Sequence, residues 1–245
     1  MTFGVIADVH GNFDAMRQAM ARHPDVPFWL CVGDLASRTG RYPTTAAPLY
    51  WIKGNNEDFD QVARFADGSL RVAHLHYIPN GTSVRIESVT VAALGGTFAP
   101  TWYDTPASQL PRPGHPSEAP GRLRVKDDKR RHFVREEVEA CKRLTGVDVL
   151  LTHEAPRPFI MTAESPDTAR EGTRPARWEA GKRPINEVLI AMRPRLHLCG
   201  HHHRFTESLR EGVPSVCVDR VSRSYLLVDA ATLAYRKLDL QQQAA

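Results

Sequence analysis

The sequence predicts an α/β fold of two packed sheets with helices outside. Three observations predict it. Short apolar runs near the start alternate with a helical pattern, as in βα units. A stretch of alternating apolar residues in the middle reads as consecutive strands. Further short strands with turn signals fill the last third. Taken in order, a strand is expected at 3–7 and a helix over Asp14–Arg22. A second strand at 28–32 ends at Gly33-Asp34, and a third at 49–53 ends at Gly54-Asn55. A helix is expected from near Glu57. Asn80-Gly81 lies between alternating apolar runs and is a dipeptide favoured in two-residue hairpin turns, so a hairpin is expected there. Val84–Ile86 and Val89–Leu94 continue the pattern until Gly95-Gly96 breaks it.

From Thr97 to about Gly121 the chain carries Pro100, Pro106, Pro111, Pro113, Pro116 and Pro120, which predicts a long irregular loop. Trp102, Tyr103 and Asp104 lie in it; the aromatics either pack the loop against the body or stack on a base or aromatic leaving group. Val134, Val138, Cys141 and Leu144 recur at helical spacing, predicting a helix over about Phe133–Leu144. Asp148–Thr152 reads as a strand delivering His153. A polar, Arg-rich loop is expected from Glu154 to about Arg183, then a helix over Ile185–Met192. Leu196–Cys199 reads as a strand delivering Gly200-His201. Val213–Val218, Tyr225–Val228 and Tyr235–Leu238 read as three more strands, and Gln241–Ala245 as a frayed tail. No repeat or linker divides the chain, so a single domain over 1–245 is expected. The loops at 97–131 and 154–184 are the expected walls of a substrate cleft.

Composition narrows the class. The chain has 245 residues, of which 42% are hydrophobic, enough for a sizeable core. No apolar run approaches the ~20 residues of a membrane span, and Thr2–Ala7 enters a strand with no signal-like segment before it. A cytoplasmic protein with no membrane partner is expected. Cys31, Cys141, Cys199 and Cys217 lack C-x-x-C spacing, and reduced thiols are expected. The net charge of +4 fits an anionic substrate. Arg122, Arg124, Lys126, Lys129, Arg130 and Arg131 cluster within ten residues, either as a solvated loop or as a phosphate-contacting rim. Oligomeric state is not legible.

Five pieces carry metal-ligand side chains: Asp8-Val9-His10, Gly33-Asp34, Gly54-Asn55-Asn56-Glu57, His153-Glu154 and Gly200-His201-His202-His203. Each alone is ordinary, since an Asp after a strand is often a turn residue. Together, most directly follow strand-like runs, and residues past the carboxyl ends of strands converge on one edge of an α/β sheet. The mixture of carboxylate, imidazole and amide suits hard or borderline divalent metals.

In this order the motifs resemble those of the calcineurin-like metallophosphoesterases, whose signature is D-x-H, G-D, G-N-H-[DE], a lone His and G-H-x-H. The resemblance runs from about Phe3 to about His203. It implies a four-layer α-β-β-α sandwich of two mixed β-sheets flanked by helices. It implies two divalent ions (Mn, Fe, Zn or Ni), one held by Asp8, His10 and His203, the other by Asn55, His153 and His201, with Asp34 bridging. His202 fills the variable position of the last motif; it is not counted as a ligand and is kept as a catalytic candidate with Asp34 and Asn56. The implied chemistry is in-line attack on phosphorus by a metal-bridging hydroxide.

One position departs from the signature: Asn56 stands where the family has His. Asn donates a hydrogen bond but cannot release a proton at neutral pH. Either the leaving group is good, or another residue, with His76, His115 and His132 as candidates, supplies the proton. Within the family, Arg130–Pro156 is similar to the RNA lariat debranching branch, which has Cys where this chain has Asp8 and keeps the His that Asn56 replaces. The expected function is a phosphodiesterase on nucleotide or nucleic-acid-like substrates. Arg130, Arg131, His132, Trp102 and Asn56 are the expected substrate contacts. The alternatives are a phosphomonoesterase or phosphoprotein phosphatase, and a weakly active metal-binding scaffold.

Overall fold

In the computed structural model, which describes residues 1–113, 126–162 and 177–240, two six-stranded mixed sheets pack face to face. The first has the order β14 (Tyr235–Asp239), β13 (Ser224–Asp229), β1 (Thr2–Ile6), β2 (Trp29–Cys31), β3 (Leu49–Trp51) and β4 (Leu75–Tyr77). Its β1, β2, β3 and β4 run parallel, while β13 and β14 add antiparallel pairs. The second has the order β11 (Thr206–Arg210), β12 (Val213–Cys217), β10 (Leu196–Cys199), β7 (Val149–Thr152), β6 (Val89–Leu94) and β5 (Ser83–Ile86). Here β12, β10, β7 and β6 are parallel and the two edge strands antiparallel.

The period-2 alternation of side chains assigns the layers. Phe3, Val5 and Ala7 of β1 and its exit meet Val89, Val91 and Ala93 of β6 between the sheets. Ile6, Trp29, Cys31 and Trp51 point the other way, against α1 (Phe13–Ala21) and α2 (Phe59–Ala66). Ala92, Leu94 and Leu150 meet α3 (Arg135–Lys142) and α4 (Arg183–Met192) on the far side. The result is the expected four-layer sandwich. Trp29 and Trp51 are fully buried; truncating a buried aromatic of this size to Ala costs about 3–5 kcal/mol. The two helices nearest the site start at side-chain caps. Asn12 accepts from the Ala15 N–H, and Asp58 from those of Asp60 and Gln61. Cys31, Cys141, Cys199 and Cys217 are free and buried. No helix among the described residues is long and apolar enough to cross a membrane.

Two expectations need correction. Asn80-Gly81 is not a hairpin turn, because β4 and β5 on either side belong to different sheets. The Asn80 amide instead bonds both backbone groups of Gly95, at 2.6 and 3.0 Å, and so ties the crossover to the end of β6. The hairpin lies one strand later, where Ile86 pairs Val89 across Glu87-Ser88, with Glu87 in the left-handed conformation that such a turn requires. The Arg-rich segment after Glu154 is also more ordered than a loop: β8 (Phe159–Thr162) and β9 (Arg177–Ala180) form an antiparallel pair.

Candidate metal centre

The parallel strands β1, β2 and β3 of one sheet and β7 and β10 of the other bring their carboxyl ends to a shared edge. Backbone bonds knit the exits: Asp8 N–H to Gly33 O, His10 N–H to Asp34 O, and Gly200 N–H to His153 O. Other bonds cross between the sheets. His153 Nδ1 donates to Val32 O at 2.8 Å, and the His201 N–H donates to Asp8 Oδ2 at 2.9 Å. Asp8, His10, Asp34, His201 and His203 all have left-handed backbones, with φ between 48° and 68°. That conformation costs a non-glycine residue roughly 1–2 kcal/mol, and such strain concentrates at functional sites. Gly33 and Gly54 leave room for the crowding. A Cβ on Gly54 would lie 2.0 Å from Asp34 Oδ1, and one on Gly33 2.6 Å from His153 Nδ1.

Two sets of ligand atoms lie within 4.8 Å of one another among the described residues: Asp8, His10 and His203, and Asp8, Asp34 and His153. In the first, His10 Nε2 faces His203 Nε2 at 3.0 Å, and Asp8 Oδ1 lies 3.3 Å from His203 Nε2 and 3.8 Å from His10 Nε2. In the second, His153 Nε2 lies 3.5 Å from Asp34 Oδ2 and 3.0 Å from Asn55 Oδ1. His10 Nε2 approaches Asp34 Oδ2 at 3.6 Å, which joins the sets. His201 belongs to neither; its ring stands edge-on to His153 at 5.0 Å between centroids. Asp8 Oδ1 is buried with no hydrogen-bond donor, a costly state for a carboxylate oxygen. A cation facing it would remove that cost, and the surrounding nitrogen and oxygen donors fit a divalent ion.

Protonation reflects the crowding. Burial alone would raise the Asp34 pKa, but His153 and His10 beside it hold it below the usual carboxylate range. Burial would lower His153; the Asp34 charge and hydrogen bond override it and raise it to about 10. The metal-free pair is therefore a buried imidazolium and carboxylate, and loading a metal on Nε2 must release a proton. Burial, then His153, pushes His201 down to about 4. At His203, Arg220 Nη2 lies 3.0 Å from Nδ1. A guanidinium only donates, so Nδ1 accepts, and a neutral His203 carries its hydrogen on Nε2, which faces His10 Nε2 at 3.0 Å. A metal on that nitrogen requires the other tautomer.

Asn56 lies against Asp34. Its backbone N–H and its side-chain amide donate to the two carboxylate oxygens, both at 2.7 Å. Glu57, the last residue of the same motif, is buried beneath. Its Oε1 accepts from Leu35 N–H at 2.9 Å and Gly54 N–H at 3.2 Å, and its Oε2 from Ala36 N–H at 3.1 Å and Tyr42 Oη at 3.0 Å. Burial, then the Asp34 charge, raises Glu57 to about 7. Glu57 thus staples the β2 exit to the β3 exit. Its residue type was visible in the sequence, but its role depends on four donors remote in the chain or hidden in the backbone.

The expected substrate contacts fare unequally. The Arg130 guanidinium is engaged by Asp128, Asp60 and Phe59 O, so it pins α2 rather than presenting a free charge. Arg131 differs: burial lowers its pKa and the Asp34 charge opposes, and its Nε is buried without an acceptor. It lies within electrostatic reach of the metal edge. His132 Nδ1 bonds Thr97 Oγ1 at 3.1 Å, and His76 stacks on Tyr50 at 4.6 Å. Trp102 forms a single 3-10 turn, Pro100–Trp102, and makes no ring contact with the metal-edge residues; its neighbour Tyr103 packs into the core beside α3. His202 turns from the ligands toward buried Glu154, with Nε2 3.2 Å from Oε1. His115, Arg122 and Arg124 lie outside the described residues.

The sequence matches the model of the calcineurin-like phosphoesterases over residues 1–205. The chain belongs to that family, which acts on phosphate esters and binds divalent metals. Similar solved structures include TT1561 of Thermus thermophilus, with a TM-score of 0.62 at 12% identity, covering 98% of this chain and 99% of that one. GAP50, the anchor in the inner membrane complex of Plasmodium, aligns with a TM-score of 0.53 at 10% identity, covering 99% of this chain and 85% of that one. At such identities the likeness is one of fold. No protein of curated function matches the chain.

Proposed function

We propose that this chain is a dinuclear metal-dependent phosphoesterase that prefers phosphodiesters, with nucleotide or nucleic-acid-like substrates. The observation that carries the reading is the convergence of Asp8, His10, Asp34, His153 and His203 around a buried carboxylate oxygen that lacks a donor. In this reading Asp8, His10 and His203 hold one ion, Asn55, His153 and His201 the other, and Asp34 serves both. Two such ions supply Lewis acidity and an acidified water. The chain's own groups orient the ester. Arg131, whose charge interacts with that of Asp34, would offer positive charge to the phosphoryl group, and Asn56 fixes the Asp34 carboxylate rather than donating a proton. His202, paired with Glu154, lines the approach to His201. Its role is to shape that approach.

The preference for a diester follows from charge. A dianionic monoester demands more positive charge than a monoanionic diester, and Arg130 is already neutralised by Asp60 and Asp128. Without an acid at Asn56, a better leaving group is also favoured. We extend the reading to the whole chain as one domain. The family match covers both sheets up to residue 205, and β11–β14 complete those same sheets.

The test is Mn²⁺-dependent hydrolysis of bis(p-nitrophenyl) phosphate against p-nitrophenyl phosphate, with Asp34→Asn as control. The expected result is faster diester cleavage, lost in Asp34→Asn together with bound metal. Faster monoester cleavage overturns the diester preference. Full activity in Asp34→Asn overturns the two-metal site.

A further inference from the structure

A cavity of about 510 Å³ adjoins the metal edge, with His201 and His202 on one side and β9 with Gly181 and Lys182 after it on the other. Its size falls within the range of small-molecule sites, about 300–1,000 Å³. Trp178 lines it and packs against Ala155, Phe159, Met161, Cys199 and Cys217, so the indole is backed by a buried cluster. Arg157 and Glu179 on its rim pair at 2.7 Å and neutralise each other. Glu154 is buried at its floor, facing His202. Lys182 adds a cation, and its backbone is pinned by an N–H bond to Ala155 O at 2.8 Å.

Resting on the phosphoesterase reading above, we propose that this cavity is the base subsite of a nucleotide substrate. The phosphoryl group would lie at the metal edge and the base against Trp178. The chemistry discriminates among phosphate esters. An aromatic base offers a π-face to the indole, and the rim presents polar groups, the Arg157–Glu179 pair and Lys182, to its edge. A lipid tail would meet charged walls. A sugar has no π-face. The aromatic residue anticipated for stacking, Trp102, lies elsewhere; Trp178 is the one beside the candidate ligands. The sequence concealed it inside a polar stretch, because β9 is only four residues long.

The experiment compares adenosine 5′-monophosphate with ribose 5-phosphate, which differ only in the base, by calorimetry on the Mn²⁺-loaded full chain. The nucleotide is expected to bind about tenfold or more tightly, as base stacking on an aromatic side chain implies. Trp178→Ala is expected to close that gap to about twofold. Trp178→Phe keeps a π-face and most of the gap, which separates lost stacking from misfolding. Trp102→Ala leaves the gap as in the wild type. Equal affinity for the two ligands in the wild type, or a gap that survives Trp178→Ala, overturns the proposal. Hydrolysis of bis(p-nitrophenyl) phosphate on the same preparation separates the two readings. Turnover with equal affinities sinks the base subsite alone; neither turnover nor binding sinks both.

Discussion

The two halves of the metal edge are built differently. The half contributed by β1, β2 and β3 carries the carboxylates Asp8 and Asp34, and it is braced from beneath. Glu57 accepts four hydrogen bonds that lock two strand exits together, and Asn56 holds both oxygens of Asp34. The half contributed by β7 and β10 is imidazole, and its bracing is thinner. His153 leans on one carbonyl of the opposite sheet, and His203 faces a guanidinium that favours the tautomer opposite to a ligand's. The anionic half therefore fixes the geometry of the site. The imidazole half decides, through protonation and tautomer, how strongly that geometry takes up metal.

Breaking the brace should have the largest effect. Glu57→Ala leaves three backbone N–H groups and the Tyr42 hydroxyl without their acceptor. At about 1–3 kcal/mol for each buried unsatisfied group, the loss of stability is on the order of 3 kcal/mol or more. Metal affinity should fall about 10–100-fold, as for other groups that support ligands. Glu57→Gln, which retains one acceptor oxygen, should fall between. Urea unfolding and metal titration check both numbers; unchanged affinity in Glu57→Ala would show that the anionic half does not depend on the brace.

Acid probes the imidazole half. His197 is fully buried on β10, with Nε2 2.8 Å from Thr152 Oγ1, one residue before His153. Burial lowers its pKa to about 3. The unfolded chain takes up this proton near pH 6.5 and the folded chain does not, so stability is present above pH 6.5 and falls as pH drops toward 3. By pH 4.5 the linkage amounts to roughly 2–3 kcal/mol. His201, lowered to about 4, acts in the same direction, while Glu57, raised to about 7, acts in the opposite one. The prediction is therefore a difference: between pH 7 and 4.5 the urea midpoint of metal-free His197→Gln should shift less toward destabilisation than that of the wild type. Equal pH dependence would contradict it.

The smallest expected effect sharpens the comparison from the other direction. Arg220→Gln replaces an obligate donor at His203 Nδ1 with a group that can accept, favouring the tautomer with a free Nε2. Metal affinity should rise by up to about tenfold, read by competition with a chelating dye. Weaker binding would mean that Arg220 supports the metal-loaded state.

Much of this was legible in the sequence. The candidate ligands stood out because their side chains follow apolar runs, and parallel strands carry such positions to one edge. The layering was legible because alternation and helical spacing encode which face is buried. What stayed hidden depends on partners distant in the chain. Nothing local to Arg130 reveals that Asp60 and Phe59 O engage it, and nothing local to Asn80 reveals Gly95 as its partner. Trp178 becomes informative only once β9 pairs β8 and puts the indole on the wall of the cavity that His201 and His202 also line. Asn80-Gly81 misled because turn chemistry fixes a local bend, whereas the sheet each flanking strand joins is settled by packing.

The most direct test of the central claim is anomalous scattering from crystals of the chain grown with Mn²⁺. The account predicts two ions at the shared edge, one among Asp8, His10 and His203 and one among Asn55, His153 and His201, with Asp34 between them. A single ion, or none at this edge under saturating metal, would contradict it.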